Sequence, residues 1–179
     1  MKTCIIVDSC SEIKNNEISD VYSVPLSIIE NDEGTEKVYK DLEEVSITDI
    51  LEKISQKKDL KTSQTSLGQM IDIFEELTPK YKRIFVVPIS SGLSGSFSSW
   101  NIAKQEFSDN EIVIIDSKDL GPGNRIVVDL IREMVASNKS TNEIVKAIDE
   151  RKSKRFGTLV VTDLEQLKRG GRISAVKAF

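Results

Sequence analysis

The sequence predicts an α/β protein built on a mostly parallel sheet flanked by helices. Three observations carry this: short β-rich runs that are apolar on both faces, helix-period stretches alternating with them, and capping signals ahead of those stretches. A strand covered by helices on both sides reads as a continuous apolar run, whereas a strand with one wet face alternates.

The elements follow in order. TCIIVDS (3–9) is the first strand and VYSVPLSII (21–29) the second. SITDILEKIS (46–55) and SLGQMIDIFEEL (66–77) bring apolar residues back every three or four positions, as one face of a helix does. Ser66 with Gln69 matches a capping box, in which each side chain answers the other residue's backbone N–H. RIFVVPI (83–89) and EIVIID (111–116) are further strands, separated by the helical SSWNIAKQEF (98–107). NRIVVDLIREMVAS (124–137) is a helix, and Ser140 with Glu143 opens another, STNEIVKAIDERK (140–152). TLVVT (158–162) closes the series as a strand. The basic run RKSKR (151–155) is the one candidate boundary, dividing an α/β domain at 1–155 from the start of an incomplete second domain at 156–179. Taken locally, that run is a solvated helix end whose cations suit the negative end of the helix dipole.

Composition bounds the function. A chain of 179 residues suits one domain, or one domain and part of another. With 39% hydrophobic and 30% charged residues it has a globular balance. The net charge of −4 speaks against nucleic acid, whose phosphates call for a basic face. No apolar run approaches the roughly 18 residues of a membrane span, and MKTCIIVDS lacks a signal-peptide pattern, so the expected location is cytoplasmic. Cys4 and Cys10 read as reduced thiols, with Cys4 in the core. The absence of histidine removes the commonest general base, the usual partner of a nucleophilic serine and the commonest zinc ligand. Neither a metal nor a cofactor is expected, and no phosphate-binding G-x-x-x-x-G-K-[ST] occurs.

Four hydroxyl-bearing turns fall at apparent strand ends: Asp8-Ser9, KTSQTS (61–66), SSGLSGS (90–96) and Asp116-Ser117. In open α/β sheets ligands bind beyond the carboxyl ends of the strands, so these turns are expected to converge on one crevice. Helix N-termini there offer free N–H groups and partial positive charge, which suits a small anionic group. Ser66 reads as an N-cap, whereas Asp8 and Asp116 fit structural and functional roles equally. Gly92 and Gly95 serve either a tight turn with positive φ or the approach of a ligand to Ser94. GLSGS also resembles a nucleophile elbow, so a serine-dependent acyl hydrolase or transferase acting through Ser94 is the alternative reading. Against it, Ser96 stands where the last glycine belongs and no histidine can complete a triad; a Ser–Lys version needs a buried lysine at Lys61 or Lys118.

The ordered set IVDSCSEI, VPLSII, KTSQTS, ISSGLSGS, IIDSK and LKRGGRIS resembles the DegV family of bacterial fatty-acid-binding proteins, the binding subunits of a bacterial fatty acid kinase. The resemblance implies carriage without catalysis. A long-chain fatty acid is bound and its carboxylate is offered to the kinase's catalytic subunit for conversion to acyl phosphate. It further implies that Thr62 and Ser94 hydrogen-bond the carboxylate, with Ser63 and Gly95 alongside and Arg172 near the head group. Read alone, Arg172 is equally a surface cation, and Gly170 and Gly171 a helix stop.

This chain departs from the family pattern twice. Thr65 occupies the proline position of T-S-x-P-S, so a less rigid turn is expected. Family members also continue through a second domain that closes over the acyl chain. The sequence as given is therefore expected to expose apolar surface, which favours oligomerisation or weak lipid binding.

Overall fold

A computed structural model describes residues 2–157, 160, 161 and 164–172 of the chain. In chain order the elements are β1 (Thr3–Asp8), β2 (Val21–Val24), β3 (Ser27–Asp32), β4 (Thr35–Lys40), α1 (Ile47–Ser55), β5 (Asp59–Ser63), α2 (Leu67–Leu77), β6 (Arg83–Val87), α3 (Ser96–Ala103), β7 (Glu111–Ile114), α4 (Pro122–Ala136), α5 (Thr141–Lys154) and α6 (Leu164–Arg169).

A parallel sheet of order β2-β1-β6-β7 forms the centre. Its two middle strands bury both faces, which is why they read as unbroken apolar runs. Cys4 and Ile6 of β1, with Ile84 and Val86 of β6, pack against Met70, Phe74 and Leu77 of α2 and Trp100 of α3. Ile5, Val7, Phe85 and Val87 point the other way, onto Val127, Val128 and Ile131 of α4 and Ile144 and Ile148 of α5. The Phe74 and Trp100 rings meet edge to face with centroids 5.2 Å apart. The predicted fold class is the observed one, and capping boxes at Ser66 and Ser140 start α2 and α5.

The run at 21–29 is not one strand. Pro25 has no N–H to give a ladder, and the chain breaks there. β2 joins the parallel sheet while β3 leaves it to become the middle of an antiparallel sheet of order β4-β3-β5. β3 and β4 are joined by a two-residue turn at Glu33 (φ 52°) and Gly34 (φ 89°), the positive-φ geometry that matches strand twist in a tight hairpin. α1 lies on this second sheet over a small core of Ile28, Val45 and Leu60, joined by Tyr39 and Ile50. Glu30, buried beneath α1, accepts from Lys53 at 2.7 Å and from the Tyr39 hydroxyl at 3.1 Å.

Hydrogen bonds at the crossing points tie the second sheet to the first. Ser9 Oγ donates to Asp41 at 2.6 Å and accepts the Leu26 N–H at 3.0 Å, and Thr65 Oγ1 donates to the Pro25 carbonyl at 2.9 Å. The basic run at 151–155 is less solvated than its local reading. Arg151 and Arg155 reach Asp119 at 3.2 and 3.1 Å, and Lys152 donates to the Asp116 carbonyl at 3.0 Å, so the end of α5 clamps the turn after β7. The strand expected at 158–162 falls largely outside the described residues.

Candidate functional site

The strand order fixes where a crevice can open. From β1 the chain adds β2 on one side and later β6 on the other, so connections diverge beyond the carboxyl ends of β1 and β6. Asp8-Ser9 and the turn at 88–96 lie at those ends.

Asp8 is 1% exposed and its carboxylate is fully engaged. One oxygen accepts the Ile89 N–H and the other the Cys10 thiol, each at 2.8 Å. Burial pushes the Asp8 carboxyl upward, against the lowering effect of those hydrogen bonds. Burial likewise raises the Cys10 thiol, helped by the Asp8 charge, and lifts Cys4 to about 12, so both are protonated thiols. Asn124 completes the tie, donating to the Pro88 carbonyl at 3.2 Å and accepting from Ser117 Oγ at 2.6 Å. The geometry gives Asp8 a structural role: it fastens β1 to the root of the 88–96 turn.

Within that turn the N–H groups of Leu93 and Ser94 donate to the Ser90 carbonyl at 2.9 and 3.2 Å. Ser94 Oγ accepts the Ser96 N–H at 3.2 Å and shares a 3.0 Å bond with Ser96 Oγ, capping the first turn of α3. Among the described residues no base is bonded to it. The lysine that approaches a serine is Lys118, and it approaches Ser91: its Nζ lies 2.6 Å from Ser91 Oγ and 2.8 Å from Asp116. Burial works to raise the Asp116 carboxyl, but bonds from Lys118 and Ser91 prevail and hold it below the usual range. Lys61 is exposed on β5. The geometry therefore does not favour the Ser94 hydrolase.

KTSQTS was expected as a turn throughout, yet Thr62 and Ser63 end β5 and only 64–66 turn. Strand alternation separates the two hydroxyls. Thr62 pairs with Ile28 and shares its face, while Ser63 pairs with Ser27 on the other. Thr65, expected to loosen the turn, is 1% exposed and pins it through the bond to Pro25. Gln64 then bridges to the other turn. Its Nε2 donates to Ser99 Oγ at 2.7 Å, and its Oε1 would lie 2.7 Å from a Cβ on Gly95. Gly95 has φ −73°, so close approach of a side chain, not a positive φ, is what calls for glycine there.

Arg172 arrives from far along the chain. α6 ends with Gly171 at φ 73°, its N–H donating to Lys168 and the Arg172 N–H to Leu167, the paired bonds of a Schellman stop. The helix stop holds as read, and it aims Arg172 at the 88–96 turn. Its Nε donates to the Leu93 carbonyl at 3.4 Å and its Nη1 to the Gly170 carbonyl. The structure thus gathers Ser94, Gly95 and Arg172 on one turn, with the Thr62–Ser63 strand end abutting it through Gln64. Sequence reasoning missed Gln64 and the Ser91–Asp116–Lys118 cluster.

Open clefts occur elsewhere, one of about 450 Å³ along α5 beside Val145 and Lys146, another of about 280 Å³ beside Thr3, Ile5 and Arg132. Neither shares a residue with these turns. Among the described residues no cluster of acidic, Cys or His side chains is placed to hold a metal, and no helix is long and apolar enough to cross a membrane.

Comparison with known proteins gives the chain its relatives. A family model described as an uncharacterised protein of the DegV family matches residues 2–179. A DegV domain-containing protein of Mycoplasma pneumoniae is 32% identical over 99% of this chain and 61% of its own length. Two solved structures superpose over the whole chain. One is a DegV family protein from Thermus thermophilus whose fatty acid binding is described, with TM-score 0.86, 27% identity and 63% of its length covered. The other is DegV, a fatty acid binding protein from Bacillus subtilis, with TM-score 0.85, 25% identity and 64% covered. The chain spans about three fifths of the length of the curated relatives it matches.

Proposed function

The chain belongs to the DegV family, and from that premise we propose that it binds a long-chain fatty acid whose carboxylate sits where the Thr62 strand end meets the Ser94 turn. The observation that supports the reading is the Gln64–Ser99 hydrogen bond, which ties the residues just after Thr62 to the helix just after Ser94, while Arg172 reaches Leu93 of the same turn. A desolvated carboxylate costs several kcal/mol unless it is hydrogen-bonded or paired. Hydroxyl donors at Thr62 and Ser94, with Gly95 beside Ser94 and the Arg172 guanidinium nearby, meet that need, whereas the Ser63 side chain lies on the opposite face of β5.

Head and tail divide the work. Each buried methylene contributes ~0.8 kcal/mol, so about fifteen of them contribute ~12 kcal/mol before ordering costs. Hydrogen bonds to a charged head contribute about 1.5–3 kcal/mol net and act over a defined geometry. The tail sets affinity and the head sets which end is presented. An end held at a crevice, by residues that provide no base, suits a protein that offers the carboxylate to the catalytic subunit of a fatty acid kinase in the cytoplasm, where acyl phosphate is made. Exposed Ile47, Leu51 and Phe156 support self-association of the chain as given.

The test is lipid mass spectrometry of the purified protein, followed by acyl phosphate formation with a fatty acid kinase for Thr62→Ala and Ser94→Ala. Uptake of added fatty acid, with little lipid copurified, and reduced turnover in both variants are expected. A lipid-free protein that takes up no added fatty acid overturns the binding reading, and unchanged turnover removes these residues from the site.

A further inference from the structure

We propose that Gln64 is a positioning residue whose amide aligns the strand end carrying Thr62 with the turn carrying Ser94, and so sets the geometry in which a carboxylate is held. The inference rests on the head-group reading above.

Its backbone is fixed on both sides. Ladder pairing runs as far as Ser63, and the buried Thr65 is bonded to Pro25. From that fixed base the side chain reaches α3. Gly95 is the N-cap of α3, and the Ser99 N–H donates to the Gly95 carbonyl at 3.0 Å to close its first turn. Gln64 touches both ends of that turn, with Nε2 on Ser99 Oγ and Oε1 in the space over Gly95 that any larger residue would fill. An amide is the suitable group for this place. It gives a donor to Ser99 without a charge, whereas a carboxylate would repel the bound anion and an ammonium would compete with Arg172 for it. Asparagine, one methylene shorter, lacks the reach to span both contacts.

The experiment compares Gln64→Ala, Ser99→Ala and the double variant, each titrated with palmitate and with hexadecanol. Amide hydrogen exchange is followed in the lipid-free proteins across 62–66 and 94–99. Palmitate binding is expected to weaken about tenfold in each single variant, and no further in the double, because both substitutions remove the same bond. Hexadecanol binding is expected to change less than about twofold, since the tail contacts are untouched. Exchange is expected to quicken in both segments in either single variant. Equal weakening for acid and alcohol, additive losses in the double variant, or faster exchange confined to the substituted segment each overturn the proposal. If the unsubstituted protein binds neither lipid, the head-group reading fails on its own. The exchange data then decide the alignment role separately: both segments responding keeps it, one responding overturns it.

Discussion

Gly95→Ala tests the packing between the two turns through stability alone. The new Cβ would stand 2.7 Å from Gln64 Oε1, a separation that real Cβ atoms essentially never show, and 3.7 Å from Gln64 Cδ. At φ −73° alanine carries no backbone strain, so the conflict is with the side chain. Oε1 is the far end of a flexible chain and swings away, breaking the 2.7 Å bond to Ser99. That loss costs about 1 kcal/mol. Alanine is also the poorer N-cap, by about 0.5–1 kcal/mol. Lower freedom in the unfolded chain returns about 0.4–1 kcal/mol. The sum is ~1 kcal/mol of destabilisation, a Tm lower by about 2–4 °C for a domain of this size. In a Gln64→Ala background the clash and the bond are both gone, the two remaining effects nearly cancel, and Gly95→Ala is expected to shift Tm by under about 1 °C. Thermal denaturation of the four proteins by circular dichroism reads this directly. An equal Tm drop in both backgrounds would refute the reasoning.

Three further outcomes are expected. Burial holds the Asp8 carboxyl above its ordinary 3.8, so the folded state binds that proton more tightly and stability falls as pH rises from 3.8 through the folded value. Asp8→Asn should therefore show a shallower decline on urea denaturation across that interval, and an unchanged slope counts against it. Glu143 behaves oppositely: the Ser140 N–H, Lys139 and the Ser140 hydroxyl lower it from 4.5 to about 2, so its contribution is present above 4.5 and lost as pH falls through about 2. Glu143→Gln is expected to lose less stability on acidification over that window, as acid titration followed by circular dichroism would reveal. Thr65→Val keeps the shape but strands the Pro25 carbonyl, and a loss of about 1–3 kcal/mol in urea denaturation is expected.

The central sheet was legible because β1 and β6 are apolar on both faces and their helices carry capping signals at Ser66 and Ser140. The second sheet was not. β4 is almost wholly exposed and reads TEKVYK, and β5 reads DLKTS, so neither shows the apolar run that marks a buried strand. Missing β5 also hid the fact that Thr62 and Ser63 face opposite ways, since alternation applies only once a strand is known. Pro25 was the available signal that 21–29 divides. At the candidate site, the hydroxyls and glycines of the two turns stood out by composition. Gln64 did not, because a neutral amide between hydroxyl residues departs from no pattern. That Arg172 lies against Leu93, 79 positions earlier, depends on how α6 packs, which local periodicity does not encode.

The crossing points between the sheets have a further effect. Residues 27–63 form a small appendage over a core of three buried side chains, moored through Asp41, which accepts from Ser9 and donates its N–H to the Leu26 carbonyl, and through the bonds of the flanking Thr65 to Pro25 and Gln64 to Ser99. A segment on so small a core opens at lower free energy than the sheet beside it. If the proposed carboxylate site is right, a guest held by Thr62 from the appendage and by Ser94 from the body would act as an additional rivet and couple the melting of the two parts. On that proposal the empty protein would be expected to open in stages and the loaded one as a single unit.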